Sequence, residues 1–91
     1  MEFLYDTNRF YYDDENGKNL AEITMSTVDD DTIIIDHTWV DNSLRGQGIA
    51  AQLVKQVVDF ARQSNKLIMP LCPFAKEEFS KNEDYEDVLK K

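Results

Sequence analysis

The stretch Ser43-Leu44-Arg45-Gly46-Gln47-Gly48-Ile49-Ala50-Ala51 carries the strongest chemical signal in the chain. Gly46 and Gly48 follow an extended apolar run and precede a helical pattern. Glycine leaves backbone N–H groups unshielded and permits the tight turn that points them inward. At the start of a helix, such N–H groups and the positive end of the dipole form a seat for a phosphate or pyrophosphate. The spacing therefore proposes a phosphorylated cofactor. The loop lacks the Gly-Lys-Ser/Thr ending of a P-loop, and it lacks the third glycine and downstream acid of the dinucleotide fingerprint. A glycine turn into a helix that needs no ligand is the alternative.

Two further side chains are candidates for chemistry, and each is single in its kind. Imidazole exchanges its proton near neutral pH, so His37 suits a general base; a packed or surface histidine is the plainer reading. Strand alternation would put His37 on one face with Ile35 and Trp39. Cys72 lies between Pro70 and Pro73, which stiffen the segment and fix the direction of the thiol. A helix N-terminus or an imidazole nearby would favour its thiolate; a small buried hydrophobe is the other role of a free cysteine. Glu22 is an alternative base and, more simply, an exposed acid. Phe10, Tyr11, Tyr12, Trp39, Phe60, Phe74 and Phe79 are read mainly as core, with Trp39 a candidate border of an acceptor site.

These groups must be positioned by strands first and a helix after them. Arg9-Phe10-Tyr11-Tyr12-Asp13 reads as a strand, and Asn16-Gly17 as a two-residue hairpin turn. The return strand covers residues 19–27, with Ala21, Ile23 and Met25 alternating against Glu22, Thr24 and Ser26. Asp29-Asp30-Asp31 makes a second turn. Residues 32–40 form the next strand, where Ile33-Ile34-Ile35 suggests burial on both faces. Residues 2–5 add a short extra strand. The period then changes: Ala50, Leu53, Val54, Val57, Val58 and Ala61 recur at helical spacing between Gly46 and Ser64. Asn65 ends the helix. Lys66-Leu67-Ile68-Met69 is a strand parallel to the third one, reached by a right-handed crossover. Two short helices, 75–80 and 85–89, close the chain. The fold class is α/β (α+β): an antiparallel meander, a long helix, a parallel strand and short C-terminal helices. The ligand site belongs at the C-terminal ends of the parallel strands, where loop 43–50 meets Pro70-Leu71-Cys72-Pro73.

The 91 residues fit one small domain, 1–91, with 42% hydrophobic residues to fill a core. One cysteine and one histidine leave no internal disulfide and no metal site to argue. No apolar run approaches the length of a membrane span, and a soluble cytoplasmic protein is expected. The net charge is −8, and eleven of the eighteen acidic residues fall in residues 1–45. That balance disfavours nucleic acid, which calls for clustered Lys and Arg. The acidic half either steers a cationic amine or serves solubility and turns.

Three motifs in order carry a resemblance. His37-Thr38-Trp39-Val40, Arg45-Gly46-Gln47-Gly48-Ile49-Ala50 and Pro70-Leu71-Cys72-Pro73-Phe74 resemble the GNAT superfamily of N-acetyltransferases, and most closely its small YjdJ-type domains. The resemblance spans residues 19–89. It implies a minimal GNAT-like fold with acetyl-CoA as cofactor. The pyrophosphate would lie on Gly46, Gln47, Gly48, Ile49 and Ala50 beside Arg45, and the pantetheine arm along Thr38, Trp39 and Val40. It also implies transfer of acetyl to a primary amine, with the thioester between His37 and Cys72. His37 would be the base. Cys72 would be a nucleophile that forms acetyl-cysteine, a proton donor to the departing thiolate, or a structural residue. The helices that usually build the acceptor pocket between the first two strands have no room here. The acceptor side is therefore open, suiting a small amine or an exposed peptide amine, on a monomer or weak dimer. A CoA-binding or protein-interaction module with little catalysis is the alternative function.

Overall fold

The computed structural model describes residues 2–90. A five-stranded sheet runs in sequence order, β1 (Leu4–Tyr5), β2 (Arg9–Asp13), β3 (Asn19–Asp29), β4 (Thr32–Val40) and β5 (Leu67–Pro70). The first four are antiparallel neighbours, and β5 lies parallel to β4. Helix α1 (Ile49–Ser64) makes the crossover between β4 and β5, and α2 (Pro73–Lys81) follows β5. The α/β reading and the parallel pair are therefore as expected.

Helix α1 forms where the apolar residues recur on one stripe. Leu53, Val54, Val57, Val58 and Ala61 are fully buried against Ala21, Ile23, Ile33, Ile35 and Ile68 of the sheet. Burying a side chain of that size contributes roughly 1.5–3 kcal/mol. Its stop is Asn65, held at φ 55°, whose N–H reaches Ala61 and Arg62 carbonyls. The Lys66 N–H also donates to Ala61, at 2.9 Å, so the last carbonyls are satisfied as in a Schellman motif.

The structure corrects several local expectations. The β2–β3 turn is not a two-residue turn with Asn16 at positive φ. Asp14 and Lys18 pair across residues 15–17, and only Gly17 is left-handed, at φ 82°. This is a type I turn closed by a glycine bulge; Asp14 Oδ1 accepts from the N–H of Asn16 and of Lys18, which stabilises the longer form. Strand β3 runs two residues further than expected, to Asp29, and Val28 bulges out of register. The final helical piece is a 3-10 segment, Glu83–Val88, in place of a helix over 85–89. Both helices pack on one side of the sheet. Hence Ile33 and Ile35 are buried but Ile34 is only half-buried, since no helix among the described residues covers its face.

The main departure lies in β4. Thr24 pairs with His37 and Met25 with Ile35, so Asp36 is an extra residue. A bulge of this kind shifts alternation by one. His37 and Trp39 therefore do not share a face with Ile35. Thr38 and Val40 take the helix side, opposite the buried Ile23 and Ala21, while His37 and Trp39 turn to the uncovered face.

Candidate functional site

Strands β4 and β5 pair only from Thr32 to Ile35 on β4. Beyond that the chains separate, because the Leu71 and Cys72 N–H groups both donate to the Ile35 carbonyl, each at 3.2 Å. Asp41 donates to Leu20 across the β3–β4 ladder. Alternation along an antiparallel ladder then turns the backbone groups of Thr38 and Val40 away from β3, into the fork. A cleft of about 530 Å³ opens there, lined by Thr38, Trp39 and Val40, by Leu44, Arg45, Gly46 and Gly48 of the loop, and by residues of α1 and α2.

The loop is built to keep N–H groups bare. Gly46 and Gly48 sit at φ 84° and 73°, a region that costs other residues strain, and a Cβ on either would meet nothing within 4 Å. Gly48 is the N-cap of α1, and no side chain caps the helix. The first-turn N–H groups of Ile49, Ala50 and Ala51 therefore have no protein partner of their own in the helix. Upstream, Asp41 Oδ2 accepts from the Ser43 hydroxyl and N–H, at 2.7 and 3.0 Å, which fixes the entry to the loop. The same two contacts, the hydroxyl first, hold the Asp41 carboxyl below its ordinary range. Arg45 Nε donates to the Val40 carbonyl at 3.4 Å, tying the guanidinium to the end of β4.

Cys72 closes the deep end of the fork. It is the N-cap of α2, is 7% exposed, and its thiol donates to Thr38 Oγ1 at 3.6 Å. Burial pushes this thiol up. The N–H of Ala75, the Thr38 hydroxyl and the N–H groups of Phe74 and Thr38 outweigh that, and the thiol lies below its ordinary value. The helix start thus supplies donors where a thiolate would need them.

Of the residues singled out from sequence, Thr38, Trp39, Val40, Arg45, Gly46, Gly48, Ile49 and Ala50 line this cleft. Gln47 is exposed and does not line it. His37 is exposed on the uncovered sheet face, so His37 and Cys72 stand on opposite faces of β4 rather than facing each other. Glu22 lies on the face of His37, but Arg9 Nη1 pairs with it at 2.7 Å and lies over the Tyr11 ring at 3.8 Å. That pairing makes Glu22 an anchored structural acid. Sequence reasoning missed Glu78, which lines the cleft from α2 and is 8% exposed. No group of three or more His, Cys, Asp or Glu able to hold a metal occurs among the described residues.

The glycine-opened start of α1 beside a forked β4 has counterparts in known proteins. A family model described as GCN5-related N-acetyl-transferase matches residues 9–88. The chain belongs to this family. Within it, the solution NMR structure of a GCN5-like protein from Staphylococcus aureus is 43% identical, with a TM-score of 0.82, covering 98% of this chain and 87% of that one. Two crystal structures with CoA share the fold: YhbS from Escherichia coli (23% identity, TM-score 0.60) and Rv2747 from Mycobacterium tuberculosis (21%, 0.64). The alignments cover 69% and 81% of this chain but only 38% and 46% of those two. No curated protein matches. A GCN5-related fold thus persists here with α1 and α2 on one face of the sheet and, among the described residues, no helix on the other.

Proposed function

We propose that the chain binds acetyl-CoA in the β4–β5 fork and transfers the acetyl group to a primary amine. The observation that carries this reading is the cleft itself. It runs from uncapped N–H groups at a glycine-built helix start to Thr38, whose hydroxyl accepts from the Cys72 thiol just behind the lining, about the arrangement a phosphorylated thioester requires. Family membership and the CoA-bound relatives support it.

In this reading the pyrophosphate lies over Gly46 and Gly48, on the N–H groups of the first turn of α1, with Arg45 alongside. The open-side backbone groups of Thr38 and Val40 pair with the amides of the pantetheine arm. The acceptor enters from the bare sheet face. His37, on that face, takes the proton of the incoming ammonium, so its separation from Cys72 is no obstacle. The amine nitrogen attacks the thioester carbon, the C–S bond breaks, and the CoA thiolate leaves and is protonated. Donors near Thr38 and Cys72 would stabilise the developing negative charge. In the relay variant, the Cys72 thiolate attacks first and releases CoA; the amine then takes acetyl from the acetyl-cysteine.

One observation favours a second reading, a CoA-binding module with little catalysis. His37 is exposed, and among the described residues its ring has no side-chain hydrogen bond or ion pair to fix it. Titration with acetyl-CoA, followed by backbone amide NMR, tests both. Shifts at residues 46–50 and at Cys72 are expected. Unmoved signals at millimolar ligand would sink both readings, and binding without acetylation of any amine in a broad screen would leave the second.

A further inference from the structure

Among the described residues, Glu78 is the one charged side chain that is buried. No hydrogen bond reaches its carboxylate among these residues. Its ion-pair partner is Lys81 Nζ, at 3.8 Å, on a side chain 59% exposed to water. Neither carboxylate oxygen is among the fully buried unpaired atoms, so water reaches both, and a ligand that displaces that water must supply donors in its place. Glu78 lines the cleft, on the same side of α2 as Phe74 one turn earlier, with Ala50 and Ala51 of α1 also in the lining.

The glycine loop, Thr38 and Glu78 all line this one cleft, and the Thr38 hydroxyl accepts from the Cys72 thiol behind it. A CoA thioester that fills the cleft must lay some part of itself against Glu78. Its pantetheine arm offers amide N–H groups and a hydroxyl as donors. A carboxylate only accepts hydrogen bonds, and it repels phosphate.

We infer that Glu78 selects the pantetheine arm, accepting a hydrogen bond from one of its donors and keeping phosphate groups at the glycine loop. This rests on the CoA reading above. The carboxylate thereby favours a pantetheine-bearing ligand over adenosine 3′,5′-bisphosphate, which has phosphates but no arm.

Calorimetric titration of both ligands into wild type, Glu78→Gln and Lys81→Ala tests it. Glu78→Gln keeps the shape and removes the charge. It should weaken CoA binding about tenfold, the loss expected of one charge-assisted hydrogen bond, and leave the bisphosphate unchanged or tighter. Lys81→Ala should leave both affinities alone. Equal weakening of both ligands by Glu78→Gln would mark a structural role and overturn the inference, as would unchanged CoA affinity. Wild type that binds CoA but fails to prefer it over the bisphosphate overturns the inference while sparing the cofactor reading. Wild type that binds neither ligand overturns both.

Discussion

Gly48 does two things at once: it holds a positive φ at the start of α1 and leaves the space above it open. Gly17 shares the φ and the open space but lies in a hairpin far along the chain from the cleft. A Cβ at either costs roughly 1–2 kcal/mol of strain. Gly48→Ala and Gly17→Ala should therefore lower stability alike in urea denaturation. Only Gly48→Ala should also weaken CoA, by tenfold or more, because its methyl occupies the phosphate seat. Equal CoA affinities in the two variants would remove the cradle. At Cys72 the outcome concerns the relay. Mass spectrometry after incubation with acetyl-CoA should show one added acetyl group, absent in Cys72→Ala. Since donors hold the folded thiol below its ordinary value, the rate of adduct formation should rise with pH and level off at a lower pH than the reaction of an unperturbed thiol does. Full turnover by Cys72→Ala with no adduct in wild type would leave direct attack as the route.

Element ends were legible wherever a residue has a backbone reason to be there. Asn65 is such a residue: at φ 55° it ends α1 and satisfies its carbonyls. Asn65→Ala should cost about 1 kcal/mol in chemical denaturation with an unchanged slope, and Asn65→Gly should cost nothing or stabilise. A larger loss for glycine than for alanine would contradict the cap. The bounds of β2 and β4 and the end of the crossover helix were likewise readable, whereas the helix starts at Ile49, three residues after the Gly46 that the spacing suggests, because Gly46 and Gly48 are left-handed. The β4 bulge was not readable. Asp36 between Ile35 and His37 fits alternation in either phase, and only pairing with β3 reveals the extra residue. That one residue turned His37 away from Cys72. The Ile33-Ile34-Ile35 run misled for a related reason. Three apolar residues read as buried on both faces, but the chain spends both helices on one side. Glu78 stayed hidden because an acid beside Phe79 on a short helix reads as solvated. Its burial follows from the packing of α2 on α1, which no local pattern states.

The whole molecule measures 39 × 26 × 19 Å and carries a net charge of −8. At 0.01 M salt the screening length is about 30 Å, comparable to the molecule; at 0.1 M it is about 10 Å. An approaching CoA polyanion therefore meets a repulsive field at low salt. Attraction appears only near the helix start and Arg45. A cationic amine meets the same field with the opposite sign. The two substrates should respond oppositely to ionic strength. The association rate constant of CoA, measured by stopped-flow, should rise as salt goes from 0.01 to 0.1 M. The KM of a cationic amine should rise too, which is a weakening, while that of a neutral amine analogue stays flat. The sign for CoA is the sharper test. Most proteins that hold phosphates by clustered Lys and Arg lose affinity as salt is added. Here the seat is backbone and one arginine, so a falling CoA rate would mean that a local cationic patch, not the net charge, governs the encounter.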